Sequence, residues 1–320
     1  MKRKRIRQQN AGIPAFAHFE RLIRRKREAR KESTADLYRA TTNWLRVFRG
    51  KGPLQLHEIT AAFVDGFHDF LLGLGRLKTN TVNSYMSNFR SMYNQLVREG
   101  LVPRQAAHPF AHLTLRTEKT PKRAVAIDTI REITRLDLSG EPELERARDL
   151  SLFAFLGCGI PFVDLAHLTR DNIVNGELAY NRVKTNTLIR VRLTKGMRRI
   201  IDKYRPGNDT PYLFPALTLD GEGESSHEGY KRDLRRHNDC LKRIGDRLAV
   251  PFRYTSYVMR HSWATEALRK NTAVAVISQA LGHTSEKTTR NYLAELDQST
   301  LNAANAIITG EIDAFVARGA

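Results

Sequence analysis

The chain has 320 residues and a formal net charge of +19. This length fits two domains that each bury a core of their own, and so basic a balance favours a polyanionic partner, with nucleic acid preferred to an anionic membrane surface. The longest apolar stretch, residues 150–168, is interrupted by two glycines, a proline and an aspartate, which excludes a membrane span there.

The N-terminal residues and the cysteine content both indicate where the protein is found. Residues 1–13 begin with a basic run that is followed by Gln8, Gln9 and Asn10, so they predict a flexible basic arm and not a signal peptide. The chain has only two cysteines, which is neither a disulfide framework nor the paired spacing of a zinc site. We therefore expect a soluble protein of the reducing cytoplasm, without membrane association.

Residues 14–110 have a helical pattern. Four apolar-periodic stretches are separated by turn signals, with the second at 33–48 and the fourth at 80–97. The pattern predicts a helical bundle as the first domain.

The start of the fourth helical stretch is cationic and hydroxylated. It carries Lys78, Thr79 and Asn80, followed by Tyr85 and Arg90. A helix start presents backbone N–H groups to a phosphate, and lysine and arginine add charge. The simpler interpretation is a solvated helix face, but the charge of the whole chain favours a DNA-binding surface.

Residues 111–123 are polar and basic and predict a linker, in which Lys122 and Arg123 are further candidate DNA contacts. The second domain then spans 124–320. Its helices at 128–136 and 142–156 precede two strand-like runs, 177–183 and 188–193, that predict a β-hairpin with Lys184 at its bend. The rest is predicted as helical, at 231–248, 256–269, 273–281, 285–296 and 300–316. The fold class is therefore mainly α with a small β-hairpin (α+β).

Two positions in the second domain stand out by their local context. Arg260 shares the apolar face of its predicted helix with Tyr257, and a buried arginine requires either an acidic partner or an external anion, because desolvating its charge costs several kcal/mol. Gly282 is placed to end the next helix in a left-handed cap and to leave His283 in the turn. Taken singly, a salt bridge and a structural histidine are the favoured interpretations.

The order of these residues changes that balance. Arg-His-Ser-Trp-Ala-Thr at 260–265, Leu-Gly-His at 281–283 and a tyrosine nine residues later at 292 resemble the C-terminal signature of the tyrosine recombinase (phage integrase) family. The resemblance extends to the hairpin lysine, to Tyr-Leu-Phe-Pro at 212–215 and to the N-terminal bundle, which looks like the helical core-binding domain of the family. It thus covers nearly the whole chain, without a separate arm-binding domain.

The resemblance implies a role for each residue. Arg260 and His283 bind the scissile phosphate, Tyr292 attacks it, and Lys184 acts as general acid on the leaving 5′ oxygen. A tyrosine hydroxyl with a pKa near 10 needs such help at neutral pH. The products are a 3′-phosphotyrosine and a free 5′ hydroxyl, and no metal or other cofactor is expected.

The same resemblance implies the partners. We expect a site-specific recombinase of a bacterium, phage or mobile element that binds inverted sites in double-stranded DNA, forms a homotetramer and exchanges strands through a Holliday junction. The amphipathic helix at 300–316 corresponds to the family's protomer-exchange helix. Two alternatives remain: a catalytically impaired DNA-binding accessory protein or repressor, and a relaxing enzyme similar to type IB topoisomerases.

Two positions depart from the family pattern. The first catalytic arginine is absent, because alignment on Gly159 and Asp164 puts Pro161 at its position, while an alternative alignment puts it nearer Cys158. Tyr257 stands where the family usually has histidine, and its phenol can still donate a hydrogen bond to a phosphate oxygen. Five arginines are candidates to compensate for the missing one: Arg146, Arg148, Arg170, Arg182 and Arg190.

Overall fold

The computed structural model describes residues 14–102, 108–118, 120, 123–219, 226–285, 289 and 309. The chain divides into two compact units, Met1–Thr120 and Pro121–Ala320. The predicted basic arm, Lys122, Tyr292 and the predicted C-terminal helix apart from Thr309 lie outside the described residues.

In its described residues, the first unit is a bundle of four helices, as the apolar periodicity predicts. The helices are α1 (Ala15–Glu28), α2 (Glu32–Arg49), α3 (Ala61–Gly73) and α4 (Thr79–Arg98). Their core is rich in aromatic rings. The Phe89 ring of α4 lies 5.7 Å from the Phe67 ring of α3 and 5.0 Å from the ring of Phe110, both in edge-on contact. Because Phe89 is fully buried, its loss would cost about 3–5 kcal/mol.

The described part of the second unit is mainly helical and carries one small sheet. Its elements are α5 (Ile127–Arg135), α6 (Pro142–Leu156), α7 (Phe162–Ala166), β1 (Ile173–Val174), β2 (Glu177–Asn181), β3 (Leu188–Arg192), α8 (Lys195–Lys203), α9 (His227–Arg247), α10 (Ser256–Arg269) and α11 (Val274–Leu281). The strands form an antiparallel sheet in the order β1-β2-β3. The predicted mainly α fold with a hairpin is confirmed, whereas the sequence pattern does not predict α7, α8 and β1.

The hairpin is held to the core by alternate residues. Tyr180 pairs with Ile189 across β2 and β3, and both are buried together with Leu178. A period of two along each strand points these side chains to one face. Beneath them, Phe153 of α6 contacts Phe214 with ring centroids 4.9 Å apart. This packing fixes the position of the bend between β2 and β3.

Within the described ranges, no helix combines the length and the apolar character needed to cross a membrane.

Candidate active site

Arg260 lies at the centre of the second unit. It is 2% exposed, and its neighbours Met259 and Ala264 on α10 are fully buried. Its Nη1 donates a hydrogen bond to the carbonyl oxygen of Gly159 at 2.9 Å, and its Nη2 donates to that of Leu281 at 2.7 Å. The guanidinium therefore joins the turn that follows α6 to the end of α11.

Gly159 permits this close approach. Its φ is +75°, and a Cβ at this position would lie 2.8 Å from Cα of Arg260, a distance that real Cβ atoms do not adopt. The turn folds under α10 because only glycine fits both the left-handed backbone and the missing space.

His283 occupies the turn that the sequence predicts for it. Gly282 ends α11 in the left-handed conformation, with φ of 64°. The Nε2 atom of His283 lies 3.0 Å from Nη2 of Arg260, and Nδ1 lies 2.8 Å from Oγ1 of Thr289. Because a guanidinium only donates, we assign Nε2 as the acceptor and Nδ1 as the protonated nitrogen.

The surroundings of His283 keep its ring neutral. Burial lowers its pKa to about 4, and the positive charges of Arg260, Arg182 and Lys184 contribute to the lowering. A neutral imidazole at physiological pH can accept a proton at Nε2.

Lys184 lies in the turn that joins β2 to β3, and its side chain is exposed. The hydroxyl of its neighbour Thr185 donates to the carbonyl oxygen of Gly282 at 3.2 Å. The hairpin bend thus rests against the turn that carries His283, and the structure brings Lys184, Arg260 and His283 into one cluster.

Arg182 is a second buried guanidinium in this cluster. It is 5% exposed, its Nε lies 3.1 Å from Oδ2 of Asp164, and its Nη1 donates to the carbonyl oxygen of Leu281 at 2.8 Å. Arg182 is one of the five candidate arginines, but no sequence signal identifies Asp164, 18 residues earlier, as its partner.

Tyr257 is placed differently from the prediction that it shares the buried face with Arg260. It is 43% exposed, whereas Arg260 is buried. Three positions on a helix separate side chains by about 60°, enough to put one at the edge of a buried face and the other at its centre. Tyr292 lies outside the described residues.

The predicted DNA-binding residues of the first unit fall into two groups. Lys78 is exposed at the start of α4 and Tyr85 is half-buried. Thr79 and Asn80 contact the segment that follows the bundle: the Thr79 hydroxyl donates to Oε1 of Glu118 at 2.6 Å, and Asn80 Nδ2 donates to the Glu118 carbonyl oxygen at 2.8 Å.

Arg90 corrects the prediction of an exposed cationic face on α4. Its Nη2 donates to the carbonyl oxygens of Phe110 at 3.3 Å and Leu113 at 3.1 Å, and its guanidinium lies over the Phe110 ring. The half-buried side chain holds the loop after α4, and its role as a DNA contact stays a prediction. In the second unit, Arg123 is exposed.

The cluster in the second unit suits the transfer of a phosphodiester. A buried guanidinium stabilises the negative charge of a phosphate, a neutral imidazole accepts a proton, and an exposed lysine supplies one to a leaving oxygen. The class of protein that this site and fold define is an enzyme that breaks and rejoins nucleic acid strands.

Comparisons with known proteins agree with this class. Residues 15–113 match the model of the phage integrase SAM-like domain, and residues 133–299 match that of the phage integrase family. A tyrosine recombinase of Thermosipho africanus is 24% identical over 309 residues, which cover 92% of this chain and 99% of the relative. The tyrosine recombinase XerD of Rhizobium meliloti is 26% identical, with 78% of this chain and 80% of the relative covered.

Solved structures share the fold. A lambda integrase dimer bound to a COC′ core site has a TM-score of 0.64 at 16% identity, covering 92% of this chain and 81% of that one. A lambda integrase tetramer bound to a Holliday junction has a TM-score of 0.63 at 18% identity, covering 89% and 80%.

The chain belongs to the phage integrase family. It is a site-specific tyrosine recombinase, an enzyme that cuts and rejoins DNA strands through a 3′-phosphotyrosine intermediate. An accessory DNA-binding role is not favoured, since the relatives named above are recombinases.

Proposed function

We propose that Tyr292 is the nucleophile, that Arg260 and His283 bind the scissile phosphate, and that Lys184 protonates the leaving 5′ oxygen. One observation carries this assignment: three groups meet at the turn that ends α11. Arg260 donates to the Leu281 carbonyl oxygen, the hairpin bend contacts the Gly282 carbonyl oxygen, and His283 follows in the same turn beside Arg260. A phosphate that enters this cluster meets each group that the reaction requires.

The neutral state of His283 gives it a place in the proton transfers. When the phosphate draws Nη2 of Arg260 away from Nε2 of His283, this nitrogen takes the proton of the Tyr292 hydroxyl as the tyrosine oxygen bonds to phosphorus. The resulting imidazolium then donates a hydrogen bond to the phosphate, beside Arg260. The negative phosphate offsets the cations that lower the pKa of His283, so the ring becomes a better base once DNA is bound.

The pentacoordinate phosphate collapses when the bond to the 5′ oxygen breaks. Lys184 supplies the proton that this oxygen needs, and a free 5′ hydroxyl leaves. The new phosphotyrosine bond keeps the energy of the broken phosphodiester, so a 5′ hydroxyl of another strand can reverse the step. Tyr257 donates a hydrogen bond to the same phosphate from its exposed position.

We also propose the domain bounds and the DNA contacts of the chain. Residues 14–110 form the core-binding domain, 111–123 the linker and 124–320 the catalytic domain. DNA contacts come from Lys78, Thr79, Asn80 and Tyr85 in the core-binding domain and from Lys122 and Arg123 in the linker. The net charge of +19 supports a DNA partner.

We further propose that protomers bind inverted sites and assemble as a tetramer, in which residues 300–316 dock on a neighbour. The fold shared with a lambda integrase tetramer on a Holliday junction supports this assembly. Location in the cytoplasm on the DNA of a bacterial nucleoid stays a prediction.

The test of the site uses the leaving group. Lys184→Ala slows cleavage of an ordinary substrate about 10²- to 10⁴-fold. A substrate with sulfur in place of the 5′ bridging oxygen restores the rate, because a thiolate leaves without a proton. The control Lys195→Ala, at an exposed lysine of α8, has the wild-type rate on both substrates. An equal defect of Lys184→Ala on both would contradict the assignment.

A further inference from the structure

Two guanidinium groups are buried side by side at the end of α11. Arg182 and Arg260 are 5% and 2% exposed, and both donate to the carbonyl oxygen of Leu281. Each carries a full positive charge, and burying a charge is costly unless an anion compensates it. Asp164 compensates for Arg182. Two buried guanidinium groups that share one acceptor make this part of the second unit strongly positive, which suits an anion that arrives with the substrate.

The Arg182 side chain is held rigidly, and one of its donors is left over. Nε lies against Oδ2 of Asp164 and Nη1 against the carbonyl oxygen of Leu281, at 3.1 and 2.8 Å. The second oxygen of Asp164 accepts from the backbone N–H of Val183 at 2.8 Å, so the carboxylate is fixed as well. Nη2 of Arg182 makes no hydrogen bond to any described residue. A planar guanidinium that is fixed on two sides presents its third in a set direction.

The segment that lacks an arginine provides the support for Arg182. Pro161 is buried and precedes α7, and its carbonyl oxygen accepts from the backbone N–H of Asp164 at 3.0 Å. The start of α7 cannot supply a cation to the cluster, but it supplies the Asp164 carboxylate, which orients the guanidinium of Arg182 from the hairpin.

The other four candidates are placed elsewhere. Arg148 donates to Asp149 and to the carbonyl oxygen of Leu136. Arg146 lines a separate cavity with His237. The last two, Arg170 and Arg190, are exposed.

We infer that Arg182 binds the scissile phosphate through Nη2, beside Arg260, and supplies the second guanidinium that the chain lacks at Pro161. The inference rests on the proposed function, because it assigns a phosphate to the cluster. Asp164 is then a positioning residue, which aligns the guanidinium without touching DNA.

The experiment measures single-turnover cleavage of a nicked suicide substrate by the full chain. Wild type must give the covalent adduct; if it gives none, the proposed function fails before the inference is tested. Arg182→Lys keeps a charge for Asp164 but loses the third donor, and we expect cleavage about 100- to 1,000-fold slower. Arg190→Ala, on the same hairpin, is the matched control with an unchanged rate.

A substrate with a methylphosphonate at the scissile position separates phosphate binding from a structural role. This group lacks the charged oxygen that Arg182 is inferred to bind, so Arg182→Lys should cost less than about 10-fold on it relative to wild type. If the variant is equally impaired on both substrates, or not impaired on the ordinary one, Arg182 only ties the hairpin to α11 and the inference is wrong.

A double variant guards against misfolding. Arg182→Met combined with Asp164→Asn removes the buried pair together, which leaves no unpaired carboxylate behind. It must show the same selective loss on the ordinary phosphate while its urea unfolding midpoint stays near that of wild type. A folded double variant that cleaves at the wild-type rate would also overturn the inference.

Discussion

Gly159 packs directly beneath Arg260, and we expect Gly159→Ala to destabilise the second unit by about 2–5 kcal/mol. Two costs add. A side chain in the left-handed conformation, at φ of +75°, costs about 1–2 kcal/mol. A Cβ 2.8 Å from Cα of Arg260 must push a helix backbone aside, and overpacking of this kind costs about 1–3 kcal/mol.

Gly207 provides the matched control. Its φ is +69°, but a Cβ there would meet nothing within 4 Å, so Gly207→Ala carries only the backbone cost of about 1–2 kcal/mol. Urea unfolding followed by tryptophan fluorescence measures the difference. The chain has two tryptophans, and in a Trp44→Phe background the remaining Trp263 reports on α10. Equal destabilisation by the two glycine substitutions would refute the proposed packing of Arg260 on this turn.

Three further predictions concern the site, the DNA interface and pH. Gly282→Ala puts a Cβ 2.5 Å from Cδ of Arg182, so adduct formation should fall at least 10-fold; wild-type cleavage would contradict the fit of this turn. Glu118→Gln removes a carboxylate from the start of α4, and DNA affinity at low salt should rise about 2- to 5-fold in a filter-binding titration, whereas unchanged affinity would argue against phosphate binding there. Burial lowers the pKa of His283 to about 4 and that of His237 to about 3, from 6.5 when unfolded. The unfolded chain therefore binds protons that the native chain does not. The contribution of the two histidines to the unfolding free energy is fully present above pH 6.5, and the unfolding free energy should fall as the pH drops from 6.5 towards 4. Urea midpoints at several pH values measure this slope, which His237→Leu should reduce and a flat profile would contradict.

Features that depend on neighbouring residues in the chain were predictable. The apolar periodicity placed the four helices of the first unit, and the two strand-like runs placed the hairpin and its bend. The glycine after an apolar helix placed the left-handed cap at Gly282, and with it the turn that holds His283. Each of these sequence patterns lies within the element that it predicts or directly beside it.

Contacts between distant segments were not predictable. The carbonyl oxygen that accepts the hydrogen bond from Nη1 of Arg260 belongs to Gly159, 101 residues earlier in the chain. The same limit explains Arg90, whose acceptors come from a loop 20 and 23 residues later. A basic side chain on a helix has the same sequence signature whether it faces DNA or supports a loop. Short elements such as α8, with nine residues in a basic run, leave too few apolar positions to reveal a period.

Identification of the residue that carries the DNA tests the central claim most directly. The protein is incubated with a suicide substrate, the covalent complex is digested with trypsin and nuclease, and the modified peptide is sequenced by mass spectrometry. We predict a 3′-linked nucleotide on Tyr292 and no adduct with Tyr292→Phe. A nucleotide on any other residue, or an adduct that persists in Tyr292→Phe, would contradict the account.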